Sequence, residues 1–347
     1  MKEKCTFNLV CSRSNCKHFH DTQDGRSPEY GKCRYNQTCI RSDCQFLHDT
    51  LSGRPPGLEV DTFKEEEKGD SFEIRIFQWN VLSDILAQKM SPEFYPDHET
   101  VLDGDRRWTM IFTKLEEVMT SGHILCLQEV TRHRAENCLQ AFCDLHVYTM
   151  IFRSHGNEFN GFMGNCILVP GHLLVERIHS VRPGKLIMKP VEGKGYPHLL
   201  TTVLLYSPSH RLRFFVTTYH MPCQYKRPEI MKSHLQVLYD LMKTAPYPVI
   251  LCGDLNMTPE DVSPPPFLDS LWNHQKHFPT IHSHVHSAYR ACIDHILFSS
   301  SIFSLVTTSL NSFTHYDKTF LSTERLMPNA IQPSDHIPLT ACFQWNS

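Results

Sequence analysis

Residues 248–256 read PVILCGDLN, an apolar run that ends in two polar residues, Asp254 and Asn256. The apolar part is rich in β-branched residues and predicts a strand, so both polar side chains follow the carboxyl end of that strand. An Asp or Asn in such a place is usually a turn residue. The segment therefore indicates chemistry only if other strands end in the same way beside it.

Several other runs have the same strand character. They lie at residues 72–80, 123–130, 164–169, 199–206, 212–220, 292–299 and 337–343. Helices are expected at residues 106–120 and at residues 228–244, where Pro228 takes a first-turn position. Many strands with few helices argue against a doubly wound parallel sheet. They favour two packed sheets with helices outside.

Polar side chains stand at the ends of these runs, or within one run near its start. In chain order they are Asn80, Glu129, His220, Asp254, Asn256, Asp294, Asp335 and His336. Strand ends converge on one rim of a two-sheet sandwich, so these eight side chains can share a single cleft. Hard oxygen ligands are those that Mg²⁺ or Mn²⁺ prefers, and such a cation can neutralise a phosphodiester under attack by water.

The first 56 residues contain a repeat with a period of 28 residues. Each unit reads C-x5-C-x4-C-x3-H and continues into a similar turn, HDTQDGRSP in one and HDTLSGRPP in the other. Three thiolates and one imidazole satisfy a tetrahedral Zn²⁺, and the metal supplies the folding free energy of so short a unit. The predicted ligands are Cys5, Cys11, Cys16 and His20 in residues 1–28, and Cys33, Cys39, Cys44 and His48 in residues 29–56. A chance register and an iron–sulfur site are the alternatives.

The spacing in each unit resembles the CCCH zinc-finger family, in particular the tandem fingers of proteins that bind adenosine-rich RNA. Phe7 recurs as Tyr35, and Arg13 recurs as Arg41, so each unit offers a ring for a base and a guanidinium for a phosphate. The alternative is that the two rings are the small core of each finger. Residues 1–60 hold nine Lys and Arg against seven Asp and Glu, too small a charge for tight binding by counterion release alone.

Residues 57–71, GLEVDTFKEEEKGDS, are a charged run without apolar periodicity and are predicted to be a linker. In the second predicted domain, residues 72–347, the order WN, LQEV, H, GDLN, IDH and SDH resembles the endonuclease/exonuclease/phosphatase superfamily. Its carbon-catabolite-repressor, nocturnin and Angel deadenylase-like members are the most similar. The resemblance implies an α+β fold: a four-layer α/β-sandwich of two mostly antiparallel sheets flanked by helices, preceded by the two CCCH fingers.

The resemblance also implies a role for each residue of the candidate site. Glu129 is expected to be the principal ligand of Mg²⁺, or of Mn²⁺ in its place, with Asn80 beside it and Asp335 completing the metal environment. Asp254 is expected to hold or deprotonate the attacking water, and Asn256 to orient the phosphate.

The remaining roles concern the phosphate and the base. His336, paired with Asp294, is expected to contact the scissile phosphate as an imidazolium, because a carboxylate partner raises the pKa of an imidazole. His220 is expected to be a second phosphate contact. In the deadenylase-like members an aromatic side chain shortly before the IDH-type strand lies against adenine, and Tyr289 takes that position here. The alternative is that Tyr289 packs its own loop.

Together these expectations describe a metal-dependent 3′-5′ exoribonuclease that acts on single-stranded RNA, such as an adenosine-rich 3′ tail held by the fingers. Residues 61–347 hold 25 Lys and Arg against 30 Asp and Glu, which argues against a broad basic surface for a long duplex. One alternative is the same chemistry on 2′,5′-linked oligoadenylate or on the 2′-phosphate of a dinucleotide. Another is an inactive, RNA-binding regulator.

Location is predicted from the absence of two patterns. No apolar run approaches the ~20 residues that span a bilayer, and the segment MKEKCTFNLVC lacks the apolar stretch of a secretory signal. Of the 14 cysteines, six lie in the repeat and the others are scattered singly, a distribution that reads as metal ligands and buried thiols in a reducing compartment. We expect a soluble protein without a membrane partner, in the cytoplasm, with the nucleus left open.

Overall fold

The computed structural model describes residues 72–90, 103–187, 196–274, 281–283, 289–306, 327–328 and 332–346. Both predicted zinc-binding units, with their eight ligands, lie outside the described residues. The same holds for Phe7, Arg13, Tyr35 and Arg41, for the predicted linker and for the side chain of Tyr289. The fingers and their RNA contacts therefore stay predictions, and the described residues belong to the second predicted domain.

The strands are β1 (Glu73–Asn80), β2 (Ile124–Val130), β3 (Tyr148–Ser154), β4 (Gly164–Pro170), β5 (Leu174–Val181), β6 (Leu200–Ser207), β7 (Leu212–His220), β8 (Val249–Asp254), β9 (Leu268–Ser270), β10 (Ile281–Ser283), β11 (Tyr289–Ala291), β12 (Asp294–Ser299), β13 (Phe303–Leu305) and β14 (Leu339–Trp345). The helices are α1 (Asp84–Met90), α2 (Gly104–Met119), α3 (132–145, with a π-helical turn at Ala135–Leu139), α4 (Pro183–Leu186), α5 (Pro228–Lys243) and α6 (Pro259–Val262).

Two six-stranded mixed sheets dominate the described part of the chain. Their strand orders are β13-β14-β1-β2-β4-β3 and β5-β6-β7-β8-β12-β9, and β10 pairs with β11 separately. Among the described strands each large sheet has one parallel pair, β1 with β2 and β7 with β8, and its other pairs are antiparallel. The predicted mostly antiparallel sheets are therefore confirmed.

The two sheets pack face to face, because alternate residues of each strand point to opposite sides. In β1, Ile76 points into a core shared with Val216 of the second sheet, whereas Trp79 points outward to the helices. Gln78 and Asn80 continue the inward row beyond Ile76 and are buried. The inner layer is therefore apolar along most of its length and polar at the carboxyl end of β1.

Helices cover the outer face of each sheet. Helices α2 and α3 pack on the first sheet with an apolar group that includes Trp108, Ile111, Leu115, Ala135 and Leu139. Helix α5 packs on the second sheet with a group that includes Met231, Leu235 and Leu238. The layers are thus helix, sheet, sheet and helix, which confirms the predicted four-layer sandwich for the described residues.

The two long helices begin where local sequence favours a start. Before α2, the Asp103 side chain accepts a hydrogen bond from Arg106 N at 3.0 Å, which is an N-cap. Helix α5 begins at Pro228, whose fixed φ suits the first turn. None of the helices in the described part combines the length and apolarity needed to cross a bilayer.

Arg107 of α2 fixes the turn that follows β1. Its side chain is completely buried, and Nη1 donates to Val81 O at 3.0 Å and to Pro333 O at 2.6 Å. Nη2 donates to Leu82 O at 2.5 Å and to Asp84 Oδ1 at 2.6 Å. One guanidinium thus joins the turn after β1 to the loop before β14, and these two segments carry Asn80 and Asp335.

Replacing Arg107 with Met is expected to lower the free energy of unfolding by about 3–5 kcal/mol, the usual cost of leaving buried partners of a charge unpaired. Chemical denaturation of the full chain, followed by tryptophan fluorescence, measures the change.

The matched control is Arg213→Met. Arg213 also binds a carboxylate through two nitrogens: Nε donates to Glu176 Oε2 at 2.8 Å and Nη2 to Glu176 Oε1 at 2.7 Å. This pair lies on the surface, where ion pairs contribute little to stability. Equal destabilisation by the two substitutions would contradict the role given to Arg107.

Candidate active site

Asn80 joins the two sheets at the polar end of the core. Its Nδ2 donates to Glu129 Oε1 at 3.0 Å and to Asp254 Oδ2 at 3.1 Å. Glu129 belongs to β2 of the first sheet and Asp254 to β8 of the second. The Asn80 Oδ1 accepts a hydrogen bond from Leu82 N at 3.0 Å, which fixes the amide orientation. A single side chain therefore holds carboxylates from both sheets together.

Glu129 is directed into the cleft by an irregularity in β2. The register of β2 against β4 shifts between Leu127 and Val130, and Glu129 has a φ of 60°. Left-handed backbone is uncommon for residues other than Gly, and β-bulges beside active sites commonly redirect a side chain. The carboxylate is held by Asn80 and by Ser83 N, which donates to Oε2 at 2.9 Å.

Asp254 and Asp294 lie opposite one another across the antiparallel pair β8–β12. Asp254 is 2% exposed and Asp294 is 0% exposed. Burial raises the pKa of Asp254, so its carboxylate is more basic than that of an exposed Asp. Its Oδ1 accepts a hydrogen bond from Asn256 N at 2.9 Å, which orients the carboxylate.

Asn256 is buried beside Asp254 and fixed by hydrogen bonds. Its φ is 51°, and its Nδ2 donates to Met221 O at 2.9 Å. The hydroxyl of Tyr225 donates to the Asn256 Oδ1 at 2.8 Å. Tyr225 itself is 48% exposed, so this aromatic residue stands at the entrance with its polar end tied to the site.

His336 forms a buried pair with Asp294. Its Nδ1 donates to Asp294 Oδ2 at 2.8 Å, and its Nε2 lies 3.6 Å from Asp254 Oδ2. Burial alone lowers the pKa of His336, but the negative charges of Asp294 and Asp254 outweigh burial and raise the pKa well above the usual value. A raised pKa favours the protonated ring, which donates hydrogen bonds through both nitrogens.

His220 and Asp335 complete the cleft. The Nε2 of His220 lies 3.8 Å from Glu129 Oε1 and 3.7 Å from Asp254 Oδ2. The Oδ1 of Asp335 is buried without a hydrogen-bond partner among the described residues. Burial raises the pKa of Asp335 to about 6, and the neighbouring charge of Glu129 adds to that effect against the charge of His336. A buried oxygen without a donor is costly, and a nearby cation would offset that cost.

The oxygen-rich side of the cleft suits a hard divalent cation. Ligand atoms of Asp254, Asp294 and His336 lie within 4.8 Å of one another, and the His336 Nδ1 is already paired with Asp294 Oδ2. The unpartnered Asp335 Oδ1 and the redirected Glu129 carboxylate are oxygens of the kind that Mg²⁺ and Mn²⁺ prefer. Glu129, Asp335 and Asn80 would therefore hold such an ion.

A buried chain of amides beneath the cleft was missed by the sequence analysis. Gln78 Nε2 donates to Asp294 Oδ1 at 2.9 Å and to Gln128 Oε1 at 2.8 Å. Gln128 Nε2 then donates to Thr218 Oγ1 at 2.9 Å. These contacts hold the carboxylate that holds His336. The available signal was the pair of Gln residues inside otherwise apolar strands.

The contacts that hold the loop before β14 were also missed by the sequence analysis. Ser334 Oγ donates to Asn80 O at 2.7 Å and accepts a hydrogen bond from His336 N at 3.1 Å. The indole of Trp79 donates to His336 O at 2.9 Å. The SDH segment is therefore fastened to the end of β1 by its serine and its backbone, as well as by Arg107.

The fold thus brings eight sequence-predicted residues together at one site. They are Asn80, Glu129, His220, Asp254, Asn256, Asp294, Asp335 and His336. Carboxylates from three strands, β2, β8 and β12, with a histidine and a fixed amide beside them, can bind a cation, take a proton from water and donate to an anion. The predicted base contact, Tyr289, has its side chain outside the described residues.

Solved structures with the same fold have low sequence identity to this chain. ANGEL2, a 2′,3′-cyclic phosphatase, in complex with adenosine-2′,3′-vanadate, gives a TM-score of 0.61 at 16% identity, over 79% of this chain and 96% of that one. The human Nocturnin catalytic domain with bound sulfate gives a TM-score of 0.57 at 20% identity, and the match covers 79% of this chain and 94% of that one. D. rerio TDP2 complexed with single strand DNA product gives a TM-score of 0.53 at 13% identity, and the match covers 79% of this chain and 99% of that one.

No curated protein sequence matches the chain significantly. The sequence model of the Endonuclease/Exonuclease/phosphatase family does match, over residues 77–336. That range contains all eight cleft residues, from Asn80 to His336. Members of the family are metal-dependent hydrolases of phosphoester bonds. The chain belongs to the Endonuclease/Exonuclease/phosphatase family and is an enzyme of that class.

Proposed function

We propose that this enzyme is a Mg²⁺-dependent 3′-5′ exoribonuclease that removes adenosines from single-stranded RNA. The observation that carries the proposal is the pairing of unlike groups in the cleft. A buried carboxylate, Asp254, and an imidazolium, His336, stand 3.6 Å apart beside the oxygen ligands Glu129 and Asp335. A phosphodiester needs such a set, because a base must prepare water while positive charge meets the phosphate.

In the proposed reaction Asp254 takes a proton from a water molecule that attacks the phosphorus of the terminal nucleotide. The bond from phosphorus to the 3′ oxygen of the preceding nucleotide breaks, that oxygen takes up a proton from solvent water, and adenosine 5′-monophosphate leaves. His336 donates a hydrogen bond to a phosphate oxygen, and Asn256 holds the phosphate in line. A bound Mg²⁺ at Glu129 would supply the remaining charge neutralisation.

Three features support a single-stranded RNA end as the substrate. The exposed Tyr225 ring, tied to Asn256, is a platform on which an unstacked base can lie. The acidic balance of residues 61–347 suits a narrow metal-containing cleft better than a duplex-binding surface. The predicted fingers of residues 1–56 would hold the tail and raise its concentration at the cleft.

A 2′,3′-cyclic phosphate is a second candidate substrate. ANGEL2 is described as a 2′,3′-cyclic phosphatase and was solved with an adenosine-2′,3′-vanadate, so a terminal cyclic adenosine suits this fold. The same cleft could open the ring with the same water and base. Product analysis separates the two, since ring opening leaves the RNA length unchanged whereas the proposed reaction shortens it.

Replacing Glu129 with Gln is expected to lower kcat for shortening an adenosine tail on the order of 10²–10³-fold, because one preorganised charge-stabilising group is lost. Omitting divalent cations should have a similar effect. The measurement is the length of a 5′-labelled RNA, with adenosine or uridine at its 3′ end, over time.

Glu176→Gln is the matched control, since Glu176 pairs with Arg213 on the surface. We expect the control variant to remove adenosines progressively from the RNA, and Glu129→Gln to leave the RNA at nearly its full length. Internal cleavage, or equal shortening by both variants, would contradict the proposed reaction.

Replacing Asp294 with Asn is expected to lower kcat about 10–100-fold with a smaller change in KM, as is common when the partner of an active-site group is altered. Asn keeps the shape of the side chain but removes the negative charge that keeps His336 protonated. Steady-state kinetics on the adenosine-tailed RNA measure both parameters.

The control for this substitution is Asp269→Asn. Asp269 also pairs with a histidine, since its Oδ2 lies 2.6 Å from His274 Nε2, but that pair lies on the surface away from the cleft. If the two substitutions changed kcat equally, the role given to the Asp294–His336 pair would be wrong.

A further inference from the structure

Three histidines from separate segments meet at one side of the cleft. His155 follows β3, His198 precedes β6 and His220 ends β7. The ring centroids lie 5.0 Å apart for His155 and His198, 5.5 Å for His198 and His220, and 6.2 Å for His155 and His220. One nitrogen from each ring lies within 4.8 Å of the other two. We call these three residues the histidine cluster.

Several nitrogens of the histidine cluster have no hydrogen-bond partner among the described residues. His155 is 4% exposed, and both of its ring nitrogens are buried and unpartnered. The Nδ1 of His220 is buried and unpartnered as well. A buried polar group without a partner costs free energy and calls for an explanation, such as an ion. Ring stacking alone leaves these nitrogens unexplained.

One hydrogen bond fixes the form of the third ring. The Nδ1 of His198 lies 2.8 Å from His220 O. A carbonyl oxygen only accepts, so Nδ1 of His198 carries the hydrogen, and in the neutral ring Nε2 keeps a lone pair. A backbone carbonyl that holds one ring nitrogen while the other remains free is the usual second contact of a metal-binding histidine.

The surroundings of His155 and His198 favour neutral rings, the form that coordinates metals. Burial lowers the pKa of His155 to about 3, with smaller contributions from the nearby His220 and Arg182. Burial likewise lowers the pKa of His198, and the neighbouring histidines add to it. On its other side His220 faces the carboxylates of Glu129 and Asp254, whose negative charge favours a cation nearby.

We propose that the histidine cluster is a second metal site, which binds a Zn²⁺ ion beside the oxygen ligands of the cleft. A tetrahedral zinc ion with Zn–N distances of about 2.0–2.1 Å holds imidazole rings with their centroids about 5 Å apart, close to the spacing of the cluster. Imidazole nitrogen suits zinc, whereas carboxylate oxygen suits Mg²⁺. Three protein ligands leave a fourth position for water or a substrate oxygen.

His220 would then contact both metal sites. Its Nε2 faces Glu129 and Asp254, while its ring contacts His198 and His155. An ion in the histidine cluster would add positive charge on the His220 side of the carboxylates of Glu129 and Asp254. The zinc proposal does not rest on the proposed substrate, because zinc content is measured without any reaction.

The first test is the zinc content of the full chain by elemental analysis, compared among variants because the predicted fingers also bind zinc. His155→Gln and His198→Gln are each expected to lose one zinc ion per chain, and the double variant also only one. His179→Gln, at an exposed position of β5, is the control and should lose none. Unchanged zinc content in folded single variants, checked by circular dichroism, would overturn the proposal.

A second test uses the unsubstituted chain and so does not depend on how the variants fold. Crystals of the full chain grown with Zn²⁺ are expected to give an anomalous peak, at the zinc absorption edge, about 2.0–2.1 Å from one nitrogen of each ring. A diffraction map at zinc saturation with no peak between His155, His198 and His220 would overturn the proposal.

Discussion

The contact on which the site depends is the bridge made by Asn80 between Glu129 and Asp254. It crosses from one sheet to the other at the place where the shared apolar core ends. Carboxylates gathered at a buried end repel one another and are poorly solvated, so they require compensation. The amide of Asn80, the imidazolium of His336 and a divalent cation are the three means by which this chain can provide it.

That constraint explains why so much of the surrounding structure is polar and immobile. Asp294 is fixed by Gln78 below, and the loop that carries His336 is fastened by Ser334 and Trp79. Each of these contacts ends on a backbone group or on a buried side chain, so a shift of one member would leave a partner unsatisfied. Rigid positioning of this kind lets a site stabilise developing charge without reorganising first.

The central strands were predictable from sequence because most of their residues are apolar and buried, and the two long helices because each buries one apolar face. The strands that were missed include β3, β5, β9 and β13, and all four lie at sheet edges. An edge strand such as β5 buries little of its length, so charged residues interrupt its pattern. The residues at the ends of β7, β8 and β12 lie together because these strands are neighbours in the sheet. Which strands pair with one another is not encoded in any local sequence pattern.

The site was predicted as a set of strand-end residues, but the residues that hold those groups were not. Gln78 and Gln128 lie inside apolar runs, where a polar residue gives no sign of its partner. Arg107 looks like an ordinary exposed cation of an amphipathic helix until its burial is known. His155 and His198 stand singly in connecting segments, so only the folded chain brings them to His220.

The left-handed backbone of Glu129 has a consequence for the evolution of the chain. A residue with a Cβ in that conformation costs about 1 kcal/mol or more, which a glycine would not. Selection for stability alone would therefore replace the acidic residue that the chemistry needs. If Glu129 binds the metal ion as proposed, its presence trades folding free energy for catalysis. Descendants released from selection for catalysis would be expected to lose this carboxylate early.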